Sequence, residues 1–138
     1  MRISKEAQEE MKISGTKDDG GKVRFSLIAP EFLWELARLL TIGAKKYSAR
    51  NWERGMDWER PLDALYRHLV RWTGGETHDP ETGVHHLICA ACNCMFLFVF
   101  EKRGLGVDTR EIVYFDLPPN GERVDEPISL YNGFDQAS

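Results

Sequence analysis

The sequence lacks long hydrophobic runs. A membrane-spanning helix needs about 20 predominantly apolar residues, and no stretch approaches that length without charged residues. The first residues, MRISKEAQEEMK, are too charged for a signal peptide. We therefore expect a cytoplasmic protein without a membrane partner.

Cysteine is scarce, and neither sign of charge is in large excess. Cys89, Cys92 and Cys94 lie together in a span of six residues inside an apolar run. The cysteines of a disulfide framework are spaced along the chain, so we expect reduced thiols here. A net charge of −4 argues against a general binder of duplex DNA, and we expect no stable nucleic-acid partner. A chain of 138 residues suits one domain that folds without a structural metal.

Hydrophobic periodicity predicts three helices and an all-α fold. The first covers residues 30–47, where apolar side chains recur at steps of three and four and a proline suits the first turn. The second begins at Pro61 and ends at the pair Gly74-Gly75. The third, residues 84–103, is apolar almost all round and is therefore predicted to be the buried central element.

The two ends of the chain differ from this helical part. Residues 1–21 are polar and end in a glycine-rich stretch, which predicts a flexible arm before a helical domain at 22–104. The extension at 105–138 includes a β-branched and aromatic stretch before a turn sequence, which predicts a short hairpin or an extended tail. Three helices of this length bury their apolar stripes poorly alone, so we expect a homo-oligomer, a dimer or larger.

Four carboxylates could hold a metal ion. Glu31 and Glu35 are four residues apart on one helix and share a face, and Glu76 with Asp79 in the next connection could close the site from the other side. Hard oxygen ligands of this kind suit Mg²⁺ or Mn²⁺. The alternative is that they are solvated carboxylates near helix starts, where the helix dipole favours negative charge.

The third predicted helix carries a polar stripe of His86, Cys89 and Asn93. Zinc at His86, Cys89 and Cys92 is disfavoured, because ligands three apart on one helix drift round its surface and structural zinc usually draws on two segments. A redox Cys-x-x-Cys motif is disfavoured because no strand precedes it. Core polar residues with satisfied hydrogen bonds are the simpler interpretation.

A basic and aromatic group could bind a nucleotide. Lysine and arginine after flexible glycines or a helix end can contact phosphates, tryptophan can stack on a base, and asparagine can bond its edge. The candidates are Lys22, Arg24, Lys45, Lys46 and Arg50 for phosphates, and Asn51 and Trp52 for the base. Alternatively, the lysines complement the helix dipole and Trp52 is a core residue. His68 is interpreted as a histidine at the edge of the core rather than a ligand.

Several strings carry a resemblance to a known family: GGKVRFSLIAPEFL, GAKKYSARNWERGMDW, LYRHLVRWTGGETHDPETGVHHL and ACNCMFLFVF. Over roughly residues 20–104 the chain resembles a phage family of dATP/dGTP diphosphohydrolases. That family is similar in activity to the all-α MazG-type pyrophosphatases, which split a dNTP into dNMP and pyrophosphate with Mg²⁺ or Mn²⁺ held by helix carboxylates. The resemblance implies a MazG-like helical bundle completed by oligomerisation. In phages with 2-aminoadenine DNA, such an enzyme supplies dGMP for the modified base.

The resemblance also implies roles for individual residues. Glu35 matches a metal ligand that the family carries on the first helix of its domain, and Glu76 with Asp79 matches a pair of acidic residues further along the family's sequence. These three are therefore the predicted catalytic residues, with Glu31 as a further ligand. Cys89 stands where the family often has histidine, and Glu31 and Glu35 are spaced by four instead of forming an E-x-x-E pattern.

The resulting prediction is metal-dependent hydrolysis of dGTP, with dATP as a second candidate, to dNMP and pyrophosphate. Phosphoryl transfer needs neutralised charge and an aligned water more than a covalent residue, so no nucleophile is expected. A carboxylate among Glu31, Glu35 and Glu81 is predicted to orient the water. Two alternatives are an HD-like phosphohydrolase, whose adjacent His-Asp pair is matched only by His78-Asp79, and a helical interaction module that docks through the tryptophan-rich loop.

Overall fold

Four α-helices account for most of the regular structure in residues 2–13 and 15–111, which are the residues that the computed structural model describes. They are α1 (Lys5–Ile13), α2 (Pro30–Lys46), α3 (Glu59–Thr73) and α4 (His86–Arg103), with 3-10 turns at Phe25–Leu27 and Asn51–Arg54. This part of the chain has no β-strand, so the predicted all-α fold is confirmed. None of its helices is long and apolar enough to cross a membrane.

The three predicted helices are present, with ends that differ by no more than two residues. α4 begins later than predicted because the His85 side chain caps it, with Nδ1 accepting a hydrogen bond from the Leu87 amide at 3.0 Å. α3 begins earlier, and Pro61 lies in its first turn, where no helical N–H bond is lost. Gly104, with a left-handed φ of 65°, ends α4.

α1 was not predicted, because its sequence KEAQEEMKI has no clear apolar stripe. Ser4 caps it, since its hydroxyl accepts a hydrogen bond from the Ala7 amide at 3.1 Å. The chain divides into two compact units, one up to Trp34 and one from Glu35 onward. The predicted arm, helical domain and extension stay predictions, and the predicted hairpin or tail lies outside the described residues from 112 on.

The core of the second unit forms around α4, which packs along α3 more extensively than any other described pair of helices. Its fully buried members include Phe100 and His86, and Val84 just before the helix is also inaccessible. Three residues of α2, Leu36, Leu39 and Ile42, pack against Val84, Ile88 and Cys89. The prediction that this helix is the buried central element is confirmed.

The loop after α2 is held against α4 by aromatic contacts. The Trp52 ring stacks on Phe96 with centroids 4.9 Å apart, and it lies 6.2 Å from Phe100. Arg50, just before the 3-10 turn, has a φ of 59°, a left-handed conformation that non-glycine residues seldom adopt. The loop therefore has a fixed anchor at Trp52 and a strained residue beside it.

A backbone contact joins the start of α3 to the segment after α4. The Trp58 amide donates to the Val107 carbonyl at 3.0 Å, and the Trp58 indole donates to the Leu105 carbonyl at 2.9 Å. Gly55 and Gly106 make this approach possible, because a Cβ on Gly106 would lie 2.2 Å from the Met56 carbonyl oxygen. We call this contact, made by residues 55–58 and 105–107, the backbone clasp.

Candidate active site

A cleft of about 1240 Å³ lies within the second unit, and it is large enough for a nucleotide. Its walls are the C-terminal half of α2, the loop at 48–56, α3, the connection before α4, and α4 itself. Six of the residues predicted for the site line it: Lys46, Arg50, Asn51, Trp52, Asp79 and Glu81. The structure therefore brings together predicted phosphate, base and acidic residues that are up to 35 positions apart in the sequence.

A chain of hydrogen bonds runs beneath this cleft through two histidines. Glu76 Oε1 lies 2.7 Å from His86 Nε2, and His86 Nδ1 lies 2.9 Å from His68 Nδ1. His86 has no exposed surface, whereas Glu76 is half-buried and also lies 3.4 Å from the Arg71 guanidinium. Every ring nitrogen of buried His86 therefore has a partner.

The bonds in this chain determine which nitrogens carry protons when both rings are neutral. A carboxylate only accepts, so His86 Nε2 must donate to Glu76, and His86 Nδ1 is left as the acceptor for a proton on His68 Nδ1. His68 Nε2 then has a free lone pair. Burial lowers the pKa of His68, which favours the neutral ring, and the hydrogen bond from His86 lowers the pKa of Glu76.

One group of three potential metal ligands occurs in the described part of the chain. One ligand atom each of His68, Asp79 and Cys89 lie within 4.8 Å of one another, and all three residues line the cleft. Asp79 is held in place because its carboxylate accepts from the Thr82 hydroxyl at 3.0 Å and from the Glu81 amide at 3.1 Å. Cys89 is buried, and burial raises the pKa of its thiol.

The carboxylates predicted as ligands have other partners, apart from Asp79. Glu35 Oε2 accepts from Arg38 at 2.8 Å on the exposed side of α2, and it does not line the cleft. Glu76 is bonded to His86, as described above. Within residues 35–111, no group of three ligands made of carboxylates alone comes together. The roles of Glu35 and Glu76 as ligands stay predictions.

The predicted cations differ in their positions. Lys46 Nζ lies 2.9 Å from Glu81 Oε1, and this hydrogen bond raises the pKa of Lys46. Arg50 lies 3.2 Å from Glu53. Lys45 is exposed at the end of α2 outside the cleft lining, and Lys22, Arg24 and Glu31 are exposed residues of the first unit.

Sequence reasoning missed the contribution of α3. Arg60, Asp63, Arg67 and His68 of this helix all line the cleft. They recur at steps of three, four and one, a polar stripe along one helix face. The sequence shows this polar stripe beside the apolar stripe from which the helix is predicted. His78 is outside the ligand group, since its ring contacts that of His85 at 5.5 Å, and this does not favour the HD-like alternative.

Comparison with known proteins bears on the same residues. A family model described as "dATP/dGTP diphosphohydrolase, N-terminal" matches residues 12–110, which include the whole cleft. A protein of Salmonella phage PMBT28 named dATP/dGTP diphosphohydrolase is 46% identical over 86 residues, or 62% of this chain. The matched region is 29% of that relative, so the chain spans less than a third of its length. No solved structure matches the chain.

Proposed function

Because the chain belongs to the dATP/dGTP diphosphohydrolase family, we propose that it hydrolyses dGTP, and dATP as a second substrate, to the monophosphate and pyrophosphate. The observation that carries this proposal is the composition of the cleft, which combines cations, an aromatic ring, an amide and a histidine–carboxylate centre in one unit. The name of the phage relative supports purine deoxynucleotides as the substrate class. In a phage with 2-aminoadenine DNA, the dGMP produced would enter synthesis of the modified base.

Four of the five cationic side chains that line the cleft would bind the triphosphate. Lys46 and Arg50 come from the loop side, and Arg60 and Arg67 come from α3. Because Lys46 and Arg50 are themselves exposed, they can exchange their acidic partners for phosphate oxygens at little cost. Lys45, and Lys22 and Arg24 of the first unit, stay predicted as further phosphate contacts.

The base would lie against the 3-10 turn. Trp52 lines the cleft and its ring stacks on Phe96, so its plane is fixed before a purine arrives. Asn51 lies next to it and offers both a donor and an acceptor to the edge of a base. We propose that Trp52 supplies stacking and Asn51 supplies discrimination.

Hydrolysis itself requires a positioned water and neutralised charge. Glu81 is the residue that we propose to orient the water, because it lines the cleft while Glu31 and Glu35 do not. Asp79, which faces the same space, is proposed to bind a divalent ion on which the reaction depends. We place the protein in the host cytoplasm, where its substrates are found.

The proposal is tested by incubating the protein with dGTP and identifying the products. We expect pyrophosphate and dGMP, and we expect Asp79→Asn to lower kcat/KM by more than about 100-fold, since a bound ion supplies several kcal/mol to the transition state. Asp57→Asn makes the same chemical change at an exposed residue outside the cleft lining and should leave turnover unchanged. Release of inorganic phosphate or triphosphate, or no turnover of either purine, would contradict the proposal.

We also propose that the protein is a homo-oligomer. Large apolar side chains are exposed along residues 23–34, namely Val23, Phe25, Leu27, Ile28, Phe32, Leu33 and Trp34. Soluble monomers seldom expose so many together, and small helical bundles are commonly completed by a second copy. Light scattering should give at least twice 15.9 kDa, and a mass of one chain at micromolar concentration would exclude the oligomer.

A further inference from the structure

The ligand group of the cleft contains a nitrogen, an oxygen and a sulfur, which is not the donor set that Mg²⁺ prefers. From this group we propose that His68, Asp79 and Cys89 bind one borderline-soft divalent transition ion, with Zn²⁺ as the best match. Its place beside the substrate phosphates rests on the proposed function, whereas the binding of the ion does not.

The geometry agrees with a mononuclear site. The ligands come from three elements, His68 from α3, Asp79 from the connection and Cys89 from α4, so they surround a point instead of lying along one helix. Their ligand atoms are within 4.8 Å of one another, close to the span of one ion that binds each ligand at the usual zinc distances of about 2.0–2.3 Å. Three protein ligands leave a fourth position open, as in catalytic zinc sites.

The surroundings already hold the ligands in binding orientation. Metal-bound histidines almost always donate their second N–H to a partner that orients the ring. His68 Nδ1 has such a partner in buried His86, which is in turn bonded to Glu76. The nitrogen of His68 with a free lone pair for the metal ion is therefore Nε2. Thr82 and the Glu81 amide hold Asp79 in the same way. A histidine pair with only a structural role would not require Asp79 and Cys89 to converge on it.

The thiol decides which ions can bind. Thiolate ligands select ions such as Zn²⁺ and Co²⁺ and contribute little to binding Mg²⁺. The neighbouring cysteines provide controls, because Cys92 lies outside the ligand group and Cys94 is exposed on another part of α4. Only Cys89 of the three is placed to ligate together with His68 and Asp79.

Cobalt binding tests the site without nucleotide. The full chain is stripped with a chelator and titrated with Co²⁺, and a cobalt–thiolate charge-transfer band should grow in the near ultraviolet to one ion per chain. Cys89→Ser should abolish the band, and Cys94→Ser should leave it unchanged. Zn²⁺ should displace the cobalt, while a large excess of Mg²⁺ should not.

A second variant covers the case in which Cys89→Ser does not fold, as checked by circular dichroism. Asp79→Asn keeps the thiol and should retain the band while weakening Co²⁺ affinity by at least about tenfold. The proposal is overturned if the wild-type chain gives no band, if folded Cys89→Ser retains it, if Asp79→Asn binds Co²⁺ as tightly as wild type, or if Mg²⁺ displaces the cobalt.

The result of the cobalt experiment can be distinguished from the result of the dGTP hydrolysis experiment. A chain that binds Co²⁺ through Cys89 but releases no pyrophosphate from dGTP keeps the metal site and loses the proposed activity. A chain that hydrolyses dGTP with Mg²⁺ but shows no cobalt–thiolate band loses the metal site and keeps the activity.

Discussion

The two sides of the cleft are built in opposite ways. On the side of α3 and α4, the chain from Glu76 through His86 to His68 is buried or half-buried, and each of its members is bonded to another. On the side of α2 and the loop, Lys46 and Arg50 are exposed and pair with exposed or half-buried carboxylates. The histidine chain therefore keeps its members in fixed positions, whereas Lys46 and Arg50 can move with a bound ligand.

Burial explains this difference. A buried polar group that loses its partner costs about 1–3 kcal/mol, so the members of the histidine chain constrain one another. An exposed ion pair contributes about 0–1 kcal/mol, so its members can exchange partners freely. Fixed positions are therefore expected along the histidine chain, and adaptable phosphate binding is expected at exposed cations such as Lys46 and Arg50.

The largest effect should come from the centre of the buried side. His86→Ala leaves a cavity and removes a partner from both Glu76 and His68, so we expect the free energy of unfolding to fall by about 3 kcal/mol. His78→Ala, at an exposed histidine, should change it by less than about 0.5 kcal/mol. Urea unfolding of the two variants measures the contrast, and equal losses would remove the distinction between buried and exposed histidines.

The next prediction compares Glu76 with Glu35, two carboxylates that the family resemblance implies as metal ligands. Glu76→Gln should lower kcat/KM for dGTP by about 10–100-fold, because it disturbs the partner that orients His68. Glu35→Gln should change it by no more than about fivefold, because Glu35 pairs with Arg38 outside the cleft lining. Loss of turnover in Glu35→Gln would instead support the ligand role that the family resemblance implies.

The loop side should control the choice of base. Asn51→Ala should change the ratio of kcat/KM between dGTP and dATP by about tenfold, since a site built for hydrogen bonds discriminates through them. Asn93→Ala is the control, because its amide also lines the cleft but donates to the Cys89 carbonyl at 2.9 Å. We expect it to scale both activities together. An unchanged ratio in Asn51→Ala would place base selection elsewhere in the cleft.

The smallest expected effect concerns backbone strain at the loop. Arg50→Gly removes the left-handed strain and should raise the free energy of unfolding by up to about 1 kcal/mol, while removing a cation and raising KM for dGTP. Arg54→Gly, four residues further on, lacks that strain and should not stabilise. Thermal unfolding measures the stability of both variants, and substrate titration measures their KM. Together they test whether the strained conformation of Arg50 lowers stability while its side chain serves phosphate binding.

Sequence reasoning located the helices well because their limits depend on local signals. Pro30 begins α2 and Gly104 ends α4, and both effects act within a few residues. The same holds for Lys46, Arg50, Asn51 and Trp52, which one loop carries to the cleft. Local signals of this kind can be recognised without knowing how the helices pack.

The histidine chain and the ligand group depend on packing instead. His68 and His86 are 18 residues apart, and their 2.9 Å contact exists only because α3 lies along α4. The cysteine and histidine spacing within one helix disfavours zinc, whereas the observed group draws on three elements. No periodicity within one helix could have indicated that Cys89 faces His68 and Asp79.

The backbone clasp has a consequence for the order of folding. It joins residues about 50 positions apart, such as Trp58 and Val107, and so closes a loop that contains both α3 and α4. Contacts between distant residues carry the larger loop-closure entropy and tend to form after local helical contacts. The hairpin of α3 and α4 is therefore expected to form first, and the clasp to close over it near the end of folding. Weakening the clasp should then accelerate unfolding while leaving the folding rate nearly unchanged.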